Sequence, residues 1–279
     1  MKNIYLIGLI ICLSASVSVQ AQEYSWSRED MDGSRTGCVS TMKDNVVQSL
    51  GMISDGVYFA PNGKVYDSTT STAKVAAMLI QAQPRMGYVK TVIAYSPELM
   101  KPARPESALS NWCVDLVMDK VSKLSGKKVD VGICNFGGIR TPMPQGDVIL
   151  DDILSMFPFD NNLYYLEIYG KDLRQLFGEM ADRKAFEPLG GVQIKYSGTD
   201  IISVTVAGEP LQDDKLYSVA TISFLYKGGD NIMLSPLAVT AQMYDVFIRE
   251  AVLEHIYDLT ARKKDVTYRA DGRIVEISR

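Results

Sequence analysis

The chain has one histidine, His255, among 279 residues, and that scarcity excludes much chemistry. A two-metal hydrolytic centre uses several imidazole and carboxylate ligands to hold ions about 3.5–4 Å apart and to acidify bound water. Residues 22–88 contain neither an Asp-x-His nor an Asn-His pattern. No Gly-x-Ser-x-Gly elbow is present, and a Cys/His pair fails because the one histidine lies on an expected late helix with no nucleophile indicated beside it. His255 therefore reads as a surface or capping residue, and no catalytic residue or metal ligand is assigned. Cysteine is also sparse. Cys12, Cys38, Cys113 and Cys134 show no Cys-x-x-Cys spacing, so neither a disulfide framework nor a zinc knuckle is indicated. Long basic runs are missing, and 29 Lys and Arg against 33 Asp and Glu give a net charge of −4. That balance offers no footprint for nucleic acid, so local arginines must hold any anionic ligand.

What is present is enough apolar residue, 47% against 22% charged, to bury a good-sized core. Lys2, the mostly apolar stretch from Ile4 to Val19, and small residues before Gln22 read as a cleaved secretory signal over 1–21. The expectation is an exported protein, periplasmic or extracellular, free of the membrane once the signal is removed. Residues 22–87 read as an N-terminal extension and linker helix, with a short helix within 41–50 and a longer one from Thr72 to Gln83. Residues 88–279 read as the main domain.

Within it, Val89 to Tyr95 suggests a strand, and Leu109, Trp112, Cys113, Leu116, Val117, Val121 and Leu124 recur at helical spacing. Gly126 is placed to stop that helix, and Val129 to Cys134 is the next strand. Asp147 to Met156 reads as a short helix, Leu163 to Ile168 as a strand, Gly170 as a turn and Lys171 to Ala181 as a helix. Strands follow over Val192 to Tyr196, Ile201 to Val206 and Leu216 to Ile222, then a helix from Ala241 to Leu259. Val266 to Tyr268 and Arg273 to Ile277 are candidates to close the sheet. Elements mixed without regular βαβ repetition point to α+β, with the later part mainly antiparallel.

Three separated blocks stand out: Asn135-Phe-Gly-Gly-Ile-Arg140 after an apolar run, Pro158-Phe159, and Phe224-Leu-Tyr-Lys-Gly-Gly-Asp230. A glycine pair lets backbone approach a ligand closely, and an arginine offers five fixed donors to phosphate or carboxylate. Two phenylalanines on separate loops can clasp a flat ring. The inventory suits a nucleotide. In order and surroundings these blocks resemble the C-terminal, substrate-recognition domain of the 5'-nucleotidase and UDP-sugar hydrolase family, whose pattern reads Asn-x-Gly-Gly-Ile/Val-Arg, Leu-Pro-Phe, and Asn-x-Phe-Leu-x-x-Gly-Gly-Asp. Glu106-Ser-Ala-Leu-Ser-Asn111-Trp-Cys-Val-Asp115 is similar to a further family block. The resemblance runs from about Val89 to the C-terminus and implies an α+β domain of layered mixed sheets with helices packed outside them.

It also implies roles. Arg140 would contact a phosphate, the alternative being a brace for Asp147 or Asp151. Asn135 would hold the loop or hydrogen-bond base or ribose. Phe159 and Phe224 would sandwich the base, and Asp230 would accept from ribose hydroxyls, with Gly228 and Gly229 bending its loop and Gly137 and Gly138 shaping the other. Arg104 sits near where members carry further phosphate-binding arginines. Gly190-Gly191 resembles a glycine pair beside the base, or is a plain turn at a strand start. Phe136, Asp160 and Asn231 depart from frequent family glycines, each adding a side chain at the rim. Full-length members keep their chemistry in a metal-binding phosphoesterase domain that these residues do not resemble. The implied function is the nucleoside- or nucleotide-recognition component of a phosphohydrolase, with divalent metals in a separately encoded metallophosphoesterase partner. The alternatives are a stand-alone exported nucleoside-binding protein and an interaction module with an inactive pocket.

Overall fold

The computed structural model describes Val39 and residues 45–277. The expected signal segment, and the start of the helix expected within 41–50, lie outside the described residues. Helix α1 (Val46–Leu50) leads into a meander of β1 (Met52–Ser54), β2 (Val57–Phe59) and β3 (Val65–Asp67), then helix α2 (Ser71–Met86). The Thr70 hydroxyl caps α2 by accepting from the Ala73 amide at 3.2 Å. Tyr58, Ala73 and Ala76 form a small apolar cluster of their own.

The larger body begins with β4 (Val92–Ser96) and α3 (Ala108–Ser125), then β5 (Val131–Ile133), β6 (Gly146–Ile149), α4 (Leu150–Met156), β7 (Asn162–Tyr169) and α5 (Gly170–Asp182). It continues through β8 (Leu189–Gly190), β9 (Val192–Ser197), β10 (Asp200–Val206), β11 (Glu209–Pro210), β12 (Leu216–Ile222) and α6 (Ser223–Tyr226), and ends with β13 (Ala238–Phe247), α7 (Ile248–Ala261) and β14 (Ile274–Glu276). One sheet has the order β13-β7-β12-β5-β8, a second β11-β10-β9-β14, and β4 pairs with β6. Helices and mixed sheets make the expected α+β layout. Pairing is mostly antiparallel, but β12 runs parallel to β5 and β14 parallel to β9.

Helix α3 follows its sequence spacing. Leu109, Trp112, Cys113, Leu116, Val117 and Val121 are buried, against the five-stranded sheet on one side and α7 on the other. Ser107 and Ser110 exchange side-chain and amide hydrogen bonds at 3.2 and 2.8 Å to cap its start, and Gly126, at φ 68°, ends it.

Five expectations about these elements are corrected. The strand expected from Val89 starts at Val92, because Gly87–Lys90 is a 3-10 turn. The first residues of the helix expected over Asp147 to Met156 form β6 instead, drawn into pairing with β4. The helix then begins at Leu150, with the Asp152 carboxylate accepting from the Ile149 amide at 2.8 Å. Gly170 opens α5 rather than making a turn. The helix expected from Ala241 is a strand as far as Phe247, since Ala238–Phe247 hydrogen-bonds along the edge of β7, and helix starts only at Ile248. Near the C-terminus Ile274–Glu276 joins the second sheet. Val266 is no strand, but it is buried with its amide bonded to the Tyr95 carbonyl at 2.8 Å.

The Glu106–Asp115 block is explained by an ionic network. Arg273, 6% exposed, forks onto Asp115 with two contacts of 2.8 Å and also holds Asp271 at 2.8 Å. The Tyr268 hydroxyl donates to Asp115 at 2.6 Å, and burial followed by that bond pushes its pKa up to about 12. Asn111 donates to Glu106 at 2.5 Å. Asp115 and Arg273 thus tie α3 to the last strand, with Arg273 buried and Asp115 half-buried. Replacing Asp115→Ala removes the two-pronged partner of the buried guanidinium, which keeps Asp271 and the Leu189 carbonyl, and should lower unfolding free energy by about 2 kcal/mol in urea titration; a loss under about 1 kcal/mol would mean the pair acts like a surface one.

His255 is half-buried rather than at the surface, set edge-on to Trp112 with ring centroids 6.0 Å apart. Burial holds its imidazole below the usual histidine range against the upward pull of Asp119 and Asp258, while Lys123 adds to the depression. Lys120 and Glu254 share the groove between α3 and α7. A depressed folded pKa means that the unfolded chain takes up the proton first, so stability present above the usual range is lost as pH falls through it. The difference in urea midpoint between about pH 7.5 and about pH 5.5 should therefore be larger for the wild type than for His255→Leu; equal differences would refute the assignment.

Candidate functional site

Topology brings the three sequence blocks to one place. Because β5 and β12 are parallel, Asn135 after the first and Phe224 after the second leave the same end of the sheet. Strand β7 is antiparallel to β12, pairing Leu163 with Ile222, so the loop before β7, with Phe159, lies at that end too. The same logic delivers Arg249, after β13, and Glu187, before β8. Cross-bonds hold the loops together. The Asn162 amide donates to Ser223 Oγ at 3.2 Å, the Ile248 amide to the Asn161 carbonyl at 3.0 Å, and the Arg140 amide to the Met156 carbonyl at 3.0 Å.

Between the loops lies an open cleft of about 370 Å³ lined by Asn135, Gly137, Gly138, Arg140, Phe159, Asp160, Asn161, Phe224 and Asp230. Phe159 and Phe224 are 48% and 40% exposed, unusual for phenylalanine and unlike the buried Phe157 beside them. The Arg140 guanidinium lies 5.9 Å from the centre of the Phe159 ring and donates to the Gly137 carbonyl at 3.2 Å. A small pocket of about 10 Å³ adjoins the cleft, sharing Asn135, Gly138, Phe159 and Asn161 with it and lined otherwise by Cys113, Cys134, Ile139, Phe157, Ile222 and Ile248. A hydrogen bond with Cys113, and then burial, push the Cys134 thiol up, which leaves it an inert core group, and Cys113 is buried beside it.

Asn135 is 5% exposed and donates to Asp230 Oδ2 at 2.7 Å, joining the first block to the third across 95 residues. Its Oδ1 is buried and has no hydrogen-bond partner. A methyl group on Gly138 would sit 2.7 Å from that oxygen, so the glycine is required where the amide presses on the loop. Gly229 has a similar reason. A side-chain carbon there would come within 2.3 Å of the Phe224 ring, so the ring lies flat on the loop backbone only because the residue is glycine. Gly228, at φ 101°, and Asp230, at φ 52°, complete the bend; aspartate is among the few side chains that tolerate the left-handed region.

Two sequence assignments move elsewhere. Arg104 does not line the cleft. It pairs with the buried carboxylate of Glu187 and lies 4.7 Å over the Phe136 ring. Glu187, 5% exposed, also accepts from the Phe136 amide at 2.6 Å, and its pKa is raised by burial despite those donors. Arg104 therefore braces the Asn135–Arg140 loop from outside. Gly190 and Gly191 also lie away from the cleft, packed on α3: carbons added there would meet Met118 Sδ at 2.5 Å and the Asp130 carbonyl at 2.0 Å. Their reading as a turn at a strand start stands. Glu187, Asn161 and Arg249 escaped sequence reasoning because none belongs to a motif. Asp160, seen as a departure, pairs with Arg249 at 2.8 Å. Among the described residues no group of three His, Cys, Asp or Glu side chains is placed to hold a metal ion, so no metal chemistry is derived from them.

The model of the 5'-nucleotidase C-terminal domain family matches residues 87–236, more than half of the chain. Among similar proteins, protein UshA of Yersinia enterocolitica is 28% identical over 153 residues, covering 52% of this chain and 27% of the relative. The trifunctional nucleotide phosphoesterase protein YfkN of Bacillus subtilis is 24% identical over 208 residues, covering 69% and 14%. The chain thus spans about a quarter of the first relative's length and less of the second. Of solved structures, the 5'-nucleotidase precursor from Thermus thermophilus superposes with a TM-score of 0.64 at 22% identity, over 80% of this chain and 49% of that one. The NAD nucleotidase of Haemophilus influenzae does so at 0.56 and 16% identity, over 80% and 48%. Both share the fold described above. With its motifs gathered at one sheet end and the family model spanning β4 to the Gly-Gly-Asp loop, the chain belongs to the 5'-nucleotidase C-terminal domain family.

Proposed function

We propose that this domain is the nucleoside- or nucleotide-recognition component of an exported 5'-nucleotidase-type phosphohydrolase. The observation that supports it best is the pair of half-exposed rings, Phe159 and Phe224, on separate loops beside one cleft. Exposed phenylalanine costs solvation, and a base slid between the rings would relieve that cost by stacking that tolerates any base. The Asn135 bond uses one carboxylate oxygen of Asp230, leaving the other for a sugar hydroxyl. Arg140 would meet a phosphate at the rim with its planar fork. In this reading the residues here bind and orient, and a metallophosphoesterase on another chain supplies the metals and the attacking water. These 279 residues hold one histidine, so the metal ligands of such a hydrolase would lie outside them. No helix among the described residues is long and apolar enough to cross a membrane, which is compatible with export.

Calorimetric titration with adenosine and AMP tests the reading. Phe159→Ala and Phe224→Ala should each weaken binding by about 1–3 kcal/mol, the worth of one stacked base, and absence of binding by the wild-type chain would sink it. Gly229→Ala should weaken binding while leaving thermal unfolding nearly unchanged, because the added methyl displaces the Phe224 ring at the surface; undiminished affinity would show that the ring's seat is immaterial. Metal-dependent phosphate release by the purified chain alone would overturn the need for a partner.

A further inference from the structure

The charge around the cleft bears on how much phosphate its occupant carries, a point that rests on the nucleotide reading above. Among the residues lining the cleft, Arg140 is the one cation, against two carboxylates, Asp160 and Asp230. Other arginines stand close and are engaged elsewhere. Arg104 is turned to Glu187 behind the first loop. Arg249 holds Asp160 Oδ1 with Nη2 at 2.8 Å and the Phe157 carbonyl with Nη1 at 3.4 Å, so its charge is met by the carboxylate that itself faces the cleft. Arg183 donates to the Asn231 carbonyl at 3.3 Å and does not line the cleft.

One guanidinium has a fork suited to one phosphate. A second phosphate would add charge with no second cation among the residues lining the cleft to receive it, next to the Asp160 carboxylate on the same rim. Asp160 is well exposed, so its repulsion is screened, and the expected discrimination is a moderate factor that depends on salt. We infer that the cleft takes nucleosides and nucleoside monophosphates and disfavours nucleoside diphosphates and nucleotide sugars, with Asp160 setting the limit. Asp160 stands where the resembling family frequently has glycine, so this chain differs from the family pattern at the position that bears the charge.

Titrations of the whole chain with adenosine, AMP and ADP in metal-free buffer at two salt concentrations test this. The wild type should bind AMP more tightly than ADP by about threefold or more at low salt, the scale of one exposed charge interaction, and the ratio should shrink as salt rises. Asp160→Asn keeps the shape, removes the charge and frees Arg249, so it should narrow the AMP-to-ADP ratio by about threefold. ADP binding as tightly as AMP in the wild type would overturn the inference while leaving nucleotide recognition intact. A ratio unchanged in a folded Asp160→Asn variant, or insensitive to salt, would remove Asp160 from the role. Absence of binding by all three ligands would overturn the nucleotide reading and this inference with it.

Discussion

Everything at the cleft depends on the hydrogen-bond register of the β7–β12–β5 ladder. Leu163 faces Ile222 and Val219 faces Val131, so two strand ends and one strand start coincide, and three loops far apart in sequence are held side by side. Alternation of side chains across the sheet makes this register hard to shift, because a slip of one residue would turn Leu166 and Ile168, fully buried on one face of β7, to the face that carries the half-exposed Glu167. Burial thereby supplies the energy that fixes the loops, and the loops themselves need little beyond a few cross-bonds.

Two further constraints act on top of the register. The Asn135–Asp230 bond locks the first loop to the third, and it works because the amide can lie against Gly138 without a methyl in the way. The Asp115–Arg273 network secures α3, the helix under that sheet, to the C-terminal strand. Helix, sheet and cleft floor are thus joined by buried polar groups that have most of their partners. Two exceptions among these groups are Asn111 Oδ1 in α3 and Asn135 Oδ1 at the cleft, both buried without a protein partner.

Electrostatics separates the roles of the arginines. Glu187 is buried and costly to ionise, so Arg104 answers it, and the pair stiffens the loop from outside. Arg249 answers Asp160 at the rim. Arg140, exposed and resting over Phe159, is left facing the cleft. Arginines of one chemical kind thus act as brace, rim partner and candidate ligand contact, according to which carboxylate lies within reach.

Much of this was legible in the sequence because it is local. The spacing of Leu109 to Val121 defined α3, Leu216–Ile222 marked a strand residue for residue, and the three motif blocks marked the loops that meet at the cleft. The helical reading from Ala241 failed because Ala, Gln and Met are good helix formers, yet propensity amounts to a few tenths of a kcal/mol per residue, and pairing along β7 outweighs it. Arg104 could not be assigned from its neighbours because its partner is 83 residues away, and the Asp160–Arg249 pair spans 89. The order of residues was enough to say where most helices, strands and glycine-bearing loops fall, since periodicity and backbone permissiveness are properties of adjacent residues. Which arginine faces the cleft, and which carboxylates occupy the others, was settled only in the folded chain, since charge pairing depends on distances that folding creates.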